Sequence, residues 1–192
     1  MSYSQQRVWY HATTERAIPY LAKGIDVEHN KGTELDFGYG FYLTSSLEEA
    51  KNFGLKLKKA TERLQGSKEG ERPVVVEYEI PLSIHEAQEK GYNVKIFETA
   101  EADFFDFVFH NRTKNIYGEN QHEHDMIFGD MANENPILLI AAWQAKEIED
   151  KDVKKRMGIF ENFKQLSIHK QEICDKLKMI KTYDAETGEE LP

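Results

Sequence analysis

The chain has one cysteine, no long apolar run and fewer basic than acidic residues, and each shortage excludes a class of protein. Cys174 cannot form an internal disulfide, which indicates a reducing compartment. No stretch approaches the roughly 18 apolar residues of a membrane-spanning helix. The first residues also lack the basic start and apolar run of a secretion signal. We therefore expect a soluble, cytoplasmic protein with no membrane partner.

The charge balance gives little support to general capture of nucleic acid. The 25 lysines and arginines are outnumbered by 34 acidic residues, for a formal net charge of −9. Such a chain lacks the basic footprint that attracts phosphate backbones. A local set of lysines, Lys51, Lys56, Lys58 and Lys59, is more typical of a solvated helix face than of a basic rim.

Hydrophobic periodicity predicts one α+β domain over residues 1–182, followed by a flexible tail over 183–192. The predicted strands cover 8–13, 41–44, 74–80, 92–98 and 124–132. The predicted helices cover 14–23, 45–66, 100–114 and the region from about 137 to 165. Residues 171–180 are expected to begin as a strand and to end as a helix. Residues 27–40 have the composition of a loop.

Three short motifs are better explained by structure than by chemistry. "GYG" at 38–40 lacks the preceding strand and following helix of a phosphate-binding loop. "QHEHD" at 121–125 places two histidines near an aspartate, but no matching ligand set lies nearby and a catalytic zinc needs three protein ligands. Cys174 has no Cys–His signature and is typical of a small core residue. We therefore expect no bound metal.

His11 stands out because of the segments that surround it in the sequence. It ends a strand candidate, and a helix and a glycine-rich loop follow. "GFYLT" then opens a capped helix, and a polar "QEI" occurs late in the chain. A histidine at a strand end is more often structural than functional, so the order of these segments decides the interpretation.

This order of segments resembles the ADP-ribosyltransferase superfamily, the fold shared by poly-ADP-ribose polymerases and diphtheria-type toxins. The similarity is greatest to a bacterial branch of small, poorly characterised ADP-ribosyltransferase-like domains. Six segments over about residues 8–180 carry the resemblance: "YHAT" (10–13), "GYGFYLT" (38–44), "VVEYEI" (75–80), "DFVFHNR" (106–112), "HDMIFGDMANEN" (124–135) and "EIC" (172–174). The resemblance implies a split β-sheet core with flanking helices and an NAD cleft between the sheets.

The resemblance assigns roles to two of the three signature residues. His11 matches the first-motif histidine, which binds a ribose hydroxyl of NAD. Tyr42 matches the second-motif tyrosine, whose ring stacks on nicotinamide. The same motifs imply cofactor contacts for their neighbours, which are Ala12, Thr13, Gly40 and Phe41. Gly40 is expected to let the dinucleotide approach the backbone, and the aromatic side chains of residues 37–42 to form a wall of the NAD site rather than core.

The third signature position has two candidates, Glu172 and Gln171. Glu172 aligns with the glutamine of "QIC" in related sequences and supplies the carboxylate of active transferases. Adjacent strand residues face opposite ways, so only one of the two is expected to face the cleft, and we favour Glu172. Two departures from the family pattern are Ala12 in place of glycine and "GDMANEN" in place of "GPVANDN". The second departure leaves Asp130 and Asn133 at most as lining residues.

The implied chemistry explains these residue types. Cleavage of the nicotinamide–ribose bond develops positive charge on the sugar, as in glycoside hydrolysis, and a carboxylate near the 2′-hydroxyl stabilises that charge. We therefore predict a mono-ADP-ribosyltransferase that uses NAD and modifies a protein or nucleic acid. By family analogy alone, it is the toxin of a toxin–antitoxin or phage-defence pair with a cognate antitoxin. Two alternatives stay open: a catalytically inactive module that binds NAD or ADP-ribose, and an NAD glycohydrolase.

Overall fold

The computed structural model describes residues 3–65, 71–131, 137–156 and 164–192. Its strands are β1 (Val8–Thr14), β2 (Phe41–Thr44), β3 (Pro73–Glu79), β4 (Val94–Ile96), β5 (Met126–Asp130), β6 (Lys164–Ile168), β7 (Lys178–Asp184) and β8 (Glu190–Leu191). Its α-helices are α1 (Ile18–Leu21), α2 (Leu47–Gln65), α3 (Ile84–Glu89), α4 (Ala102–Asn115), α5 (Ile137–Gln144), α6 (Asp150–Arg156) and α7 (Gln171–Cys174). None of the helices in these ranges has the length and apolar character to cross a bilayer.

The predicted α+β class is confirmed, and most of the predicted elements lie where the periodicity placed them. Strands β1 to β5 coincide with the five predicted strands, and α2 and α4 coincide with the helices predicted over 45–66 and 100–114. The split sheet with an NAD cleft stays a prediction.

Backbone contacts divide the chain into two compact units, each assembled from separate stretches of sequence. Unit 1 comprises Met1–Ile25, Tyr42–Lys90 and Gln171–Pro192, and unit 2 comprises Asp26–Phe41 and Gly91–Lys170. The assignment of one domain to residues 1–182 stays a prediction.

The sheet of unit 1 is antiparallel, with the strand order β2-β1-β3-β7-β8. Strand β1 lies between β2 and β3, and His11 is paired with Val76 across the β1–β3 ladder. Helix α2 packs against one face of β1 and β3. Ala50 of that helix joins Val75 and Ala185 in a buried cluster. Since Val74, Val75 and Val76 are all fully buried, both faces of β3 are covered.

Unit 2 contains the order β4-β5-β6, parallel between the first two strands and antiparallel between the last two. Every residue of β5 is buried. The rings of Phe37, Phe97 and Phe104 pack together with centroid separations of 5.5–6.1 Å. Helix α4 contributes Phe104, and the same helix contacts α5. The prediction that α4 is amphipathic is confirmed by the burial of Phe104, Phe105 and Val108.

Two predicted elements near the C-terminus are wrong. Residues 164–165 were predicted as helix but begin strand β6, whereas residues 157–163 of that predicted helix lie outside the described residues. The order predicted for 171–180 is also reversed, because α7 precedes β7. Two i, i+4 pairs favour the short helix: Gln171 with Asp175, and Glu172 with Lys176.

Residues 183–192 form a paired hairpin instead of the predicted flexible tail. Strand β7 continues to Asp184, and Thr182 and Tyr183 pair with Leu191 and Glu190 of β8. The turn is built by the Asp184 carboxylate, which accepts hydrogen bonds from the amides of residues 186 and 187. Gly188 follows with φ +77°, a conformation that favours glycine.

Deletion of residues 184–192 is therefore expected to destabilise unit 1. It removes the Arg72–Asp184 ion pair and Ala185, whose side chain is 1% exposed. Loss of a charge-assisted hydrogen bond, a buried methyl group and the β8 ladder should lower the free energy of unfolding by about 3 kcal/mol. Urea denaturation measures the change, with deletion of Pro192 alone as the control. Equal stability of the two truncated chains would contradict the hairpin's contribution.

Candidate functional site

Two of the three signature residues meet on neighbouring strands of unit 1. His11 lies on β1 and Tyr42 on β2, and these strands are antiparallel with Tyr10 opposite Thr44. The His11 Nδ1–H donates to the Tyr42 carbonyl oxygen at 2.8 Å. The imidazole and the backbone beside the Tyr42 ring are thereby fixed relative to each other.

The protonation state of His11 follows from its surroundings. Burial lowers its pKa from the ordinary value, and the hydrogen bond to Tyr42 opposes the shift only in part. The ring is therefore neutral near pH 7. Since Nδ1 carries the proton in this tautomer, Nε2 carries the lone pair and acts as a hydrogen-bond acceptor.

The neighbours of His11 face different environments. Ala12 packs against the cluster of Ala50, Val75 and Ala185, so its side chain points to the α2 face. Thr13 is half-buried and shares the face of His11, since alternate strand residues point the same way. The predicted cofactor contacts of Ala12 and Thr13 stay predictions, and that of Ala12 can involve only its backbone.

Gly40 belongs to unit 2, where its lack of a side chain already has a structural reason. A Cβ atom there would lie 2.7 Å from His169 Nδ1 and 2.9 Å from the Ile168 carbonyl oxygen. Close approach of the chain after β6 thus requires glycine, whether or not a dinucleotide also approaches. The predicted cofactor contact of Gly40 stays a prediction.

The aromatic side chains of residues 37–42 divide into two groups. Phe37 is fully buried in the ring cluster of unit 2, and Phe41 is 5% exposed. For these two residues the predicted wall outside the core is wrong, because they are core residues. Tyr39 and Tyr42 are half-buried and retain accessible ring surface.

The third signature position does not have the predicted secondary structure. Gln171 and Glu172 lie on helix α7, so the argument from alternating strand residues does not apply. Gln171 Nε2 donates to the Ile25 carbonyl oxygen at 2.6 Å and to Asp175. The Glu172 side chain is 53% exposed, and its carboxylate lies 3.7 Å from the Lys176 ammonium.

The end of helix α7 lies near Tyr78, whose side chain shares the sheet face of His11. Cys174, at the end of α7, is close enough to Tyr78 to raise the pKa of that phenol together with burial, the larger cause. Tyr78 and Val76 alternate along β3, and Val76 is opposite His11. Burial raises the pKa of Cys174 to about 12, so the thiol is an inert core group.

A buried glutamine, Gln165, was missed by the sequence analysis. It is the second residue of β6 in unit 2 and is 4% exposed. Its Nε2 donates both to Asp36 Oδ2 and to the Asp130 carbonyl oxygen, each at 2.9 Å. Both amide protons are thus engaged, and the remaining polar atom, Oε1, is an acceptor.

The amide of Gln165 is oriented by a buried ion pair. Asp36 is 5% exposed, and its Oδ1 accepts hydrogen bonds from Arg112 Nε at 2.7 Å and Nη2 at 2.6 Å. At the same end of β6, Lys164 pairs with Asp130. Paired and hydrogen-bonded in this way, the buried charges avoid the cost of an isolated ion.

No local pattern in the sequence marks Gln165 as a special residue, because its partners Asp36 and Asp130 are distant in sequence.

The predicted effect of Gln165→Glu follows from the contacts of its amide. A carboxylate would place an acceptor against Asp36 Oδ2 and the Asp130 carbonyl oxygen, and the free energy of unfolding at pH 7 should fall by about 3 kcal/mol. Adding Asp36→Asn restores a donor to residue 165 and the net charge beside Arg112, so the double variant should recover part of the loss. A double-mutant cycle in urea measures both changes. A Gln165→Glu chain as stable as wild type would contradict the assigned amide orientation.

A separate pocket of about 430 Å³ opens beside α4 in unit 2. It is lined by Asp103, Asp106, Phe107, His110, Asn111 and Gln121. Asp106 accepts a hydrogen bond from Gln144 Nε2 at 2.8 Å. None of the sequence-predicted site residues lines this pocket, and nothing in its chemistry connects it to the proposed reaction. Across the described residues, no group of three or more histidine, cysteine or acidic side chains is arranged to hold a metal ion.

A protein-family model with the description "Protein of unknown function (DUF3990)" matches residues 9–179. The chain therefore belongs to the DUF3990 family. No curated protein matches it. The family description carries no activity, so the function has to be argued from the residues themselves.

Proposed function

We propose that the chain is a mono-ADP-ribosyltransferase that cleaves NAD at the nicotinamide–ribose bond and transfers ADP-ribose to a protein or nucleic acid. The observation that carries the proposal is the contact of His11 with the backbone of Tyr42 on adjacent strands. The superfamily resemblance requires a histidine and a tyrosine on separate strands, and these two residues meet that requirement.

The two residues supply complementary binding groups. In this proposal Nε2 of the neutral His11 ring accepts a hydrogen bond from a ribose hydroxyl, while the Nδ1–H bond to the Tyr42 carbonyl oxygen keeps the ring oriented. The half-buried ring of Tyr42 offers a face on which nicotinamide can stack. Holding ribose and nicotinamide in one orientation lowers the entropic cost of reaching the transition state.

The reaction breaks the bond between ribose C1′ and the nicotinamide nitrogen. The bonding electron pair leaves with nicotinamide, and positive charge develops on the ribose. A nucleophile of the acceptor then bonds to C1′ and loses its proton. In this proposal the Glu172 carboxylate stabilises the developing charge, a contribution that is larger in the transition state than in the bound substrate.

A second candidate function is favoured by the position of Glu172. This residue lies on an exposed helical turn beside Lys176, and its neighbour Gln171 is the other candidate for the third signature position. A glutamine can hold a hydroxyl group but brings no negative charge. The alternative is therefore a module that binds NAD or ADP-ribose without cleaving it.

Both candidate functions depend on His11 and Tyr42 to hold the ligand, so NAD binding by variants of these residues tests them together. His11→Ala should weaken NAD binding about tenfold through the lost hydrogen bond, and Tyr42→Ala should have a similar effect through lost stacking. Calorimetry with the full chain measures both. His85→Ala and Tyr20→Ala are matched controls, since both side chains are more than half exposed. Failure of the wild-type chain to bind either NAD or ADP-ribose would contradict both candidates.

Release of nicotinamide separates the two candidates. For the transferase, Glu172→Gln should reduce release about 100-fold or more with little change in NAD affinity. Gln171→Ala is the control and should retain turnover. NAD binding without release in the wild-type chain would instead support the binding module. Release that is unchanged in Glu172→Gln would show that another group stabilises the transition state.

Transfer of labelled ADP-ribose decides between transferase and glycohydrolase. The proposal predicts label on a protein or nucleic acid from a cell extract, whereas free ADP-ribose as the sole product would mean that water is the acceptor. The toxin role and the cognate antitoxin stay proposals from the resemblance, and neither is needed for these measurements.

A further inference from the structure

Three histidines of unit 2 pack together outside the proposed site. The ring centroids of His122 and His169 are 4.5 Å apart, and those of His122 and His124 are 5.4 Å apart. Phe107 stacks on His122 at 5.4 Å. Two of these histidines also donate hydrogen bonds to backbone carbonyl oxygens of the glycine-containing loop at 37–40, so the cluster holds this loop in place.

The hydrogen bonds of His122 fit only a neutral ring. Its Nε2–H donates to the Phe37 carbonyl oxygen at 2.8 Å, and its Nδ1 accepts from the His124 backbone N–H at 3.1 Å. A second proton on Nδ1 would point at that N–H, so protonation would break the contact. Burial lowers the pKa of His122, with a smaller lowering contribution from His124 and an opposing one from the Phe37 carbonyl.

His169 also donates a hydrogen bond to this loop, and its second nitrogen faces a hydroxyl that can donate or accept. Its Nδ1–H donates to the Tyr39 carbonyl oxygen at 2.7 Å, and its Nε2 lies 2.7 Å from the Ser167 hydroxyl. Burial, followed by the nearby His122, lowers the pKa of His169 to about 3. The two rings are so close that a charge on either one disfavours a charge on the other.

The loop depends on these side chains because it has little regular structure of its own. Asn120 completes the set of contacts: its Oδ1 accepts from the Tyr39 N–H at 2.8 Å. Gly38 adopts φ +78°, so this part of the chain has a backbone conformation that ordinary residues rarely take.

We propose that His122 and His169 form a pH-sensitive clasp, which holds residues 37–40 in place while both rings are neutral and releases them on protonation. The inference does not depend on NAD binding. Its observable is local opening of the loop in unit 2.

The charged groups near the cluster do not stabilise a protonated histidine by forming an ion pair with it. Lys95 lowers the pKa of His124 and Asp125 raises it, after the larger lowering by burial. Asp125 lies 3.2 Å from the Lys170 ammonium. Above the Tyr39 ring lies another cation, the Lys31 ammonium, at 4.7 Å. A proton added to His122 or His169 would therefore meet charged groups that already interact with other partners.

The direction of the pH effect follows from the lowered pKa values. An unrestrained histidine titrates near 6.5, so the open loop binds protons that the closed loop does not. Closure is fully favoured above about pH 6.5 and weakens as the pH falls toward the lower values of the closed state. Each of the two rings contributes up to about a tenfold change per pH unit in that range.

Hydrogen exchange at individual amides tests the clasp. The reporters are the N–H groups of Tyr39 and Gly40, which donate to Asn120 Oδ1 and Asn30 Oδ1. Between pH 7.5 and 5, after correction for intrinsic exchange, their protection should fall as the pH drops below 6.5, by up to about tenfold per pH unit for each ring. The amides of Ile127 and Phe128 in β5 should keep their protection.

A histidine variant separates titration from simple loss of a contact. His122→Gln should reduce the pH slope of protection at Tyr39 and Gly40 by up to about tenfold per pH unit, whatever its effect on protection at pH 7.5. His29→Gln removes an exposed histidine of the same unit and should leave the slope unchanged. A wild-type slope of zero would overturn the proposal, as would parallel loss of protection in β5 or an unchanged slope in His122→Gln.

Discussion

Within each unit, side chains from other segments hold the backbone of residues 37–42 through hydrogen bonds to its carbonyl oxygens. In unit 2, His122 and His169 bind the carbonyl oxygens of Phe37 and Tyr39. In unit 1, His11 binds the carbonyl oxygen of Tyr42. Buried backbone groups must find partners, and a stretch with two glycines cannot supply them through a regular ladder.

This constraint gives histidine the same physical task at three positions. Each ring donates one N–H to a carbonyl oxygen and is kept neutral by burial. The other nitrogen differs in its role: in His122 it accepts a backbone N–H and in His169 it faces a serine hydroxyl. In His11, we propose that the second nitrogen accepts a hydrogen bond from a ligand hydroxyl. The proposed binding site in unit 1 and the proposed clasp in unit 2 therefore both use a neutral, buried histidine that donates one N–H to a backbone carbonyl oxygen.

Local patterns in the sequence predicted the elements whose packing is regular. The helical spacing of Phe104, Phe105, Val108 and Phe109 placed helix α4, and the alternation around Tyr78 placed β3. The contact between His11 and Tyr42 could also have been expected, because each residue lies in a segment whose pattern predicts a strand. The capping box of Ser83 and Glu86, which begins α3, was present in the sequence but was not used.

The errors arose where tertiary contacts override local preference. Residues 171–174 were predicted to begin a strand, but their i, i+4 polar pairs and the burial of Ile173 and Cys174 favour a helical turn. The environment of Gln165 could not be predicted, because its partners Asp36 and Asp130 are distant in sequence. The short β8 depends on a turn closed by the Asp184 side chain.

The central claim is that His11 is a neutral ring whose Nε2 accepts a hydrogen bond from NAD. The most direct measurement is ¹⁵N NMR of histidine-labelled protein at pH 7, with the His11 signals assigned by His11→Gln. We expect a protonated Nδ1 and an unprotonated Nε2 in the free protein, and an Nε2 shift toward a hydrogen-bonded value on saturation with NAD. A doubly protonated ring, or an Nε2 signal that saturating NAD leaves unchanged, would contradict this claim.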